Sequence, residues 1–387
     1  MGRFSDALRA PGLGVIAEVK RRSPSAGELR PQADPVEFTV SFARAGAAAV
    51  SILVDERFGG TVGDLKSARA VAPDVPLLAK GFFTEELQLL QMKLAGADAA
   101  LLLLRDLDDE RARALMAYAA ELKLDTLVEA HDAAELERAL RLRAPVIGIN
   151  ARDLSSFAID RRTQLELVSR VPGDRVIVAE SGIHSRAQGA AAELAGADAV
   201  LVGTALMRAA DPAAKLRDLL ARPLVKVCGL TREDDVAVAA DAGADLAGFI
   251  LAKESPRRAE RVLDVPDTML SVAVFVEDVD ETPADLVQLY DRENGHRSRD
   301  GVLLRRGERV ASVIDLPWQE QDPQHLERAR SAEGRVMLAG GLAADNVRAA
   351  IDSVRPWAVD ASSRLEVKPG VKDPDRVRAF VEAAQWR

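Results

Sequence analysis

A single cysteine, Cys228, in 387 residues excludes an intrachain disulfide and fits a reducing compartment. Histidine is almost as scarce. Four scattered histidines and one cysteine form no ligand cluster of recognisable spacing, so no metal is expected. No apolar stretch approaches the roughly 18–20 residues of a membrane-spanning helix. The opening MGRFSDALRAPGLG has no apolar core long enough for a signal peptide. A cytoplasmic chain with no membrane partner is expected. Positive charge is also short: 52 Lys and Arg against 61 Asp and Glu leave a net charge of −9. That balance argues against nucleic acid as a partner and leaves small anions to be bound through local groups.

What is present is ordinary globular composition, 48% hydrophobic and 29% charged, at a length that suits two domains better than one. Short apolar runs alternate with longer amphipathic stretches, the pattern of repeated βα units around a parallel sheet. Eight such runs come first: GVIAEVK (14–20), AVSILVD (49–55), PLLAKGF (76–82), AALLLLR (99–105), DTLVEAH (125–131), PVIGIN (145–150), RVIVAES (175–181) and AVLVGT (199–204). The phrases AGAAAV, AGADAA and AGADAV precede several of them, and glycine there can take the left-handed conformation that stops a helix. Eight units over about 210 residues match a closed (β/α)8 TIM barrel. An open doubly wound sheet is the alternative, though it usually has fewer strands.

The count then restarts. LVKVCG (224–229), LAGFILA (246–252), LSVAVFV (270–276) and DLVQLY (285–290) begin a second series, and RVMLAGG (335–341) and PWAVDASS (356–363) finish it. LLARPLVKV (219–227) joins the two with almost no linker, so the expected domains are residues 1–221 and 222–387. The fold class is therefore α/β, two tandem (β/α)8 barrels. The second is shortened and irregular around its fourth to sixth strands. There, GVLLRR (301–306) and RVASVID (309–315) are separated only by Gly307 and Glu308, far too little for a parallel crossover. They read as a hairpin or as one irregular strand.

Barrel enzymes carry their working groups at strand C-terminal ends and in the loops that follow. In the first series those positions hold Glu18, Lys20, Lys80, Glu129, Asn150, Arg152, Glu180 and Ser181. Any one of them alone suits a solvated strand end or a structural ion pair. Their convergence on one face points instead to a charged ring around a substrate. Gly182, Gly203 and Thr204, ending the last two strands, suit a phosphate held by backbone N–H groups. Two carboxylates beside two lysines suit proton shuffling. A lysine that is desolvated or crowded by another cation drops in pKa and can donate near neutrality. Schiff-base chemistry of the aldolase kind remains open on these residues.

The motifs IAEVKRRSPSAG, VSILVDERFGGT, LVEAHDAAELERAL, GINARDL, AESGI and LVGTALM, in this order, closely resemble indole-3-glycerol-phosphate synthase over about residues 4–220. The resemblance implies decarboxylative ring closure of carboxyphenylamino-deoxyribulose phosphate. It makes Lys80 the acid on the substrate carbonyl and Lys20 a carboxylate-binding, proton-donating lysine. Glu18 and Glu129 become the acid/base pair of the dehydration. Asn150, Arg152, Glu180 and Ser181 then line the anthranilate and ribulose parts, and Ser23, Gly182, Gly203 and Thr204 meet the phosphate. Two departures stand out. Gly81 follows Lys80 where the family has aspartate, and only FSDALRAPG remains of a longer N-terminal extension.

The second series carries VKVCGLTREDD, GFILAKESPRR, LAGGLAADNV, WAVDASSRLE and PGVKD, and resembles phosphoribosylanthranilate isomerase over about residues 223–385. A free cysteine is more often a small core residue than a reactive one. The resemblance makes Cys228 the base of an Amadori rearrangement and Asp315, in SVIDLPW, its general acid. Arg257 becomes the clamp on the anthranilate carboxylate and Asp360 the aspartate at the eighth strand end. Gly340, Gly341, Ser362 and Ser363 become the phosphate loops. Here the departures are larger. Gln288-Leu289-Tyr290-Asp291 replaces Gln-Leu-His-Gly, a glycine-rich loop after the acid is missing, and Arg364 replaces the glycine of Ser-Ser-Gly. A working Cys228 would need a nearby positive charge to lower its pKa. Together the two resemblances imply a fused tryptophan-biosynthesis enzyme acting on phosphorylated small molecules. No cofactor is expected, and the chain is expected to be a monomer or weak homo-oligomer. The competing reading is an active synthase fused to a degenerate, non-catalytic second barrel. Another phosphate-binding barrel enzyme is the third.

Overall fold

The computed structural model describes residues 2–23, 27–153, 156–316 and 321–385. Two compact units emerge, one of Met1–His184 with Gly189–Leu220, the other of Ser185–Gln188 with Ala221–Arg387. No helix among the described residues is long and apolar enough to cross a membrane.

In the first unit eight strands close a parallel barrel: Gly14–Val19, Ala49–Leu53, Leu77–Lys80, Ala99–Leu103, Asp125–Ala130, Val146–Asn150, Val176–Glu180 and Ala199–Val202. Helices on the outside cover one strand face and barrel-filling side chains cover the other, so the strands are buried almost throughout. The helix-stopping phrases behave as their glycines require: Gly46, Gly96 and Gly196 take φ of 97°, 98° and 110°. Inside the barrel Ile16, Leu78, Leu101, Leu127, Val178 and Leu201 form a separate core. Phe4 and Leu8 of the short helix Arg3–Leu8 join that core, both fully buried. Burying two such side chains stabilises by about 1.5–3 kcal/mol each. The helix is fixed by Asp125 at the start of the fifth strand, whose carboxylate accepts from Gly2 N at 3.0 Å and Ser5 N at 2.9 Å. The helix Arg3–Leu8 therefore plugs the end of the barrel opposite the strand C-termini.

The second unit also closes an eight-stranded barrel: Leu224–Cys228, Leu246–Ile250, Leu270–Val276, Leu286–Glu293, His296–Arg305, Glu308–Ile314, Val336–Leu338 and Ala358–Ala361. The irregularity falls on the fourth to sixth strands and takes a definite form. Strands four to five and five to six pair antiparallel, while the other neighbours are parallel. GVLLRR and RVASVID are indeed a hairpin, turning on Arg306 and Gly307, both at positive φ (50° and 82°). A second hairpin, absent from the sequence reading, turns on Asn294 and Gly295 (51° and 83°). Two-residue turns with both central residues left-handed match the strand twist, and Asn-Gly is their strongest signal. Two hairpins thus stand where two crossover helices would be. The fifth strand runs backwards as a result, so its first residues share a face with the last residues of its neighbours.

Candidate active sites

All twelve residues singled out in the first barrel line one cavity of about 470 Å³ at the strand C-termini. Its centre is Lys80. The Nζ atom lies 2.6 Å from Glu180 Oε2, 3.5 Å from Glu129 Oε2 and 3.9 Å from Glu18 Oε2. Glu18 meets Lys20 Nζ at 2.7 Å, and Asn150 Nδ2 donates to Glu129 Oε1 at 2.9 Å. All three carboxylates are buried, carried near the C-terminal ends of the first, fifth and seventh strands, which converge on the barrel interior without pairing with one another. Their room is reserved by backbone: a Cβ on Gly148 would stand 2.2 Å from Glu180 Oε1. Directly after Glu180 the chain turns on Ser181 and Gly182, at φ 69° and 72°. Ser181 takes a left-handed value that few side chains adopt.

The charge logic of the ring corrects one expectation. Burial alone would lower Lys80, but Glu180, Glu129 and Glu18 outweigh it and hold the ammonium well above the ordinary lysine range. Lys80 is a fixed cation, not a lysine poised near neutrality. Burial opposes ionisation of Glu18 and Glu129 too, yet Lys20 and Lys80 keep the first below its usual value, and Lys80, His131 and Asn150 the second. Glu180 goes the other way, raised by burial and by the Glu129 carboxylate.

Sequence reasoning missed three first-barrel groups. His131 bridges two carboxylates, Nε2 3.0 Å from Glu129 Oε1 and Nδ1 3.1 Å from Glu135 Oε2. It follows Glu129 by two residues, the spacing that returns a side chain to the same side of a strand, and that spacing was the available signal. Phe58 and Phe82 stack at 6.3 Å on the cavity wall, with the Arg57 guanidinium 4.0 Å over Phe82.

The eight second-barrel residues likewise share one cavity, of about 800 Å³. Beneath it runs a chain of polar contacts. Lys226 Nζ, fully buried, donates to Asp360 Oδ2 at 2.8 Å and Gln288 Oε1 at 2.7 Å. Gln288 Nε2 donates to Tyr290 Oη at 2.6 Å, and Tyr290 Oη donates to Asp315 Oδ2 at 2.8 Å. Arg297 closes the chain, Nη1 3.0 Å from Asp315 Oδ2 and its guanidinium 4.1 Å over the Tyr290 ring. Lys226, Gln288, Tyr290 and Arg297 were not among the expected site residues. Arg297 follows a hairpin turn at a strand start, where no reading of strand C-termini would look. Arg257 reaches the cavity with Nε 2.8 Å from Glu366 Oε2.

Cys228 also departs from expectation. Burial pushes its thiol up, and Lys226 offsets this only in part. Asp315 is raised by burial against the pull of Arg297 and Tyr290. The lowered thiol that a resting thiolate would require is not there, because burial and the nearby Asp360 carboxylate outweigh the pull of Lys226 and Lys372.

The family model for indole-3-glycerol phosphate synthase matches residues 2–219, and that for N-(5'phosphoribosyl)anthranilate isomerase matches residues 319–383. An indole-3-glycerol phosphate synthase of a Nocardioides species is 48% identical over 54% of this chain and 81% of its own. A multifunctional tryptophan biosynthesis protein of Phycomyces blakesleeanus is 30% identical over 98% of this chain, which spans only 63% of that relative's length. Among solved structures, phosphoribosyl anthranilate isomerase of Thermotoga maritima is 25% identical over 42% of this chain and 98% of its own, with a TM-score of 0.34. The chain belongs to the indole-3-glycerol phosphate synthase family, and behind that domain its residues 319–383 match the model of the phosphoribosylanthranilate isomerase family.

Proposed function

We infer that the chain catalyses two consecutive steps of tryptophan biosynthesis. The second barrel isomerises N-(5-phosphoribosyl)anthranilate, and the first closes the product to indole-3-glycerol phosphate with loss of carbon dioxide. The observation that carries the synthase reading is Lys80, one ammonium held among three buried carboxylates at the mouth of a barrel. As the aromatic carbon attacks the ribulose carbonyl, negative charge grows on that oxygen. An ammonium fixed nearby stabilises it and can protonate the alkoxide, which is far more basic than any lysine. Lys20 is suited to the leaving carboxylate. Glu18 and Glu129 are placed to take and return protons in the dehydration, Glu129 being oriented by Asn150. Phe58 and Phe82 offer an apolar wall for the anthranilate ring. The reading places the chain in the cytoplasm.

In the second barrel Cys228 would take the proton from the sugar C2 and Asp315 would protonate the ring oxygen. The raised thiol and the engagement of Arg257 with Glu366 favour the rival reading, a second barrel without activity. Adding phosphoribosylanthranilate to the pure protein separates them. Decay of its fluorescence supports the isomerase, and an unchanged signal leaves only the synthase.

A further inference from the structure

Barrel enzymes commonly hold phosphate between the loops that follow their seventh and eighth strands. In the second barrel those loops are Gly340-Gly341 and Ser362-Ser363, and Arg364 comes directly after them. Its guanidinium ties one loop to the other. Nη1 donates to the Gly341 carbonyl at 3.2 Å, and the two ends of the fork grip Asp345 at 3.0 and 2.7 Å. This grip is exchangeable. The side chains are 39% and 66% exposed, and an ion pair so open to water contributes little.

The other arginines lining the cavity stand differently. Arg257 is engaged by the buried carboxylate of Glu366, Arg297 by Asp315, and Arg292 sits between Glu254 and Glu277 on the hairpin. Arg364 follows one loop in the chain and hydrogen-bonds the other. Beside it the Ser362 Oγ is buried with no hydrogen-bond partner, an unmet polar group of the kind a bound anion satisfies. A phosphate dianion held by backbone N–H groups alone would lack a full counter-charge, and the planar guanidinium fork matches phosphate oxygens two at a time.

We propose that Arg364 is a phosphate-binding residue of the second barrel. The substrate phosphate takes the bidentate place that Asp345 holds when the site is empty, and Asp345 acts as its competitor. The inference rests on the reading of the second barrel as an isomerase of a phosphorylated substrate. No bond is made or broken in the exchange.

The test uses the full chain with Arg364→Met, Arg364→Lys and Asp345→Asn. KM and kcat are measured for phosphoribosylanthranilate, with inorganic phosphate as a competitive inhibitor. Arg364→Met should raise KM and the phosphate inhibition constant about tenfold or more, the scale of a lost charge-assisted hydrogen bond. The Lys variant should recover part of that loss. Asp345→Asn should lower both constants, because the competitor is gone. A purely structural clamp predicts the reverse for Asp345→Asn, weakening like that of Arg364→Met, and that result overturns the proposal. So does an active wild type whose constants are unmoved in Arg364→Met. A wild type with no isomerase turnover sinks the isomerase reading and this inference with it, an outcome distinct from the other two.

Discussion

Lys80 Nζ stands 2.6 Å from Glu180 Oε2, although the two residues are a hundred positions apart in the chain. The pair exists because the third and seventh strands of one barrel end on the same face. Lys80 has no role in packing that an apolar residue could not fill better, since a buried ammonium is stabilising only through its partners. Lys80→Met is therefore expected to reduce synthase turnover by ~10²–10⁴-fold, the range for loss of a general acid, while isomerase turnover is retained. Indole glycerol phosphate formation from the ribulose intermediate measures the first, and fluorescence decay the second. A variant that keeps most of its synthase rate would remove Lys80 from the acid's role.

His131 should stay protonated far above neutrality. Burial works against the charge, but Glu129 and Glu135 push its pKa up to about 10. A group raised on folding contributes stability that is fully present below its unfolded value, about 6.5, and is lost as pH rises through the folded one. NMR of the histidine ring protons, assigned by loss of a signal in His131→Asn, should show one of four histidines titrating near 10. Unfolding of that variant should differ most from wild type near pH 6 and converge toward pH 10. A midpoint near 6.5 for His131 would mean that the two carboxylates do not hold it.

The first barrel was legible because its strands are buried on both faces and announce themselves as apolar runs, several of them preceded by an AGA phrase whose glycine, at positive φ, stops the helix before it. Its site was legible for the same reason: Glu18, Lys80, Glu129 and Glu180 interrupt runs where charge is otherwise costly. The direction of the Lys80 shift was not. It depends on carboxylates from the first, fifth and seventh strands meeting in space, and no local window contains them. In the second barrel Asn294-Gly295 is a strong hairpin signal, but a count of apolar runs does not register it. That miss hid Arg297, which an antiparallel strand brings to the site from its beginning rather than its end.

Cys228 and Asp315 should give the isomerase a flat pH profile. Burial raises both groups, and the proposed isomerisation would need the thiolate together with the protonated acid. Between the two macroscopic pKa values the dominant form carries the protons the other way round, and the active minority is a constant fraction. kcat/KM should thus form a plateau, falling only below the carboxyl's value and above the thiol's. Cys228→Ser and Asp315→Asn should each lose ~10²–10⁴-fold. A profile that climbs steadily across neutral pH would show that no protonated acid is needed and that Asp315 has been misassigned.

Arg297 offers the sharper test of that pair, because it touches Asp315 without being expected to touch the reacting atoms. Its guanidinium, 3.0 Å from Asp315 Oδ2 and stacked on Tyr290, pulls the Asp315 pKa down against burial. Removing the cation in Arg297→Met should let Asp315 rise further. The sign follows: the lower limb of the kcat/KM profile, which reports the carboxyl, moves to higher pH, and the plateau rises because more of the acid is protonated. Tyr290→Phe removes a donor to the carboxylate and should move the limb the same way. If Arg297 only held the hairpin in place, its loss would lower the plateau and leave the limb where it was. The pH profile of Arg297→Met, measured beside Arg297→Lys, decides between the two. A limb that stays fixed while the plateau falls ends the case for Asp315 as an acid tuned by the fifth strand.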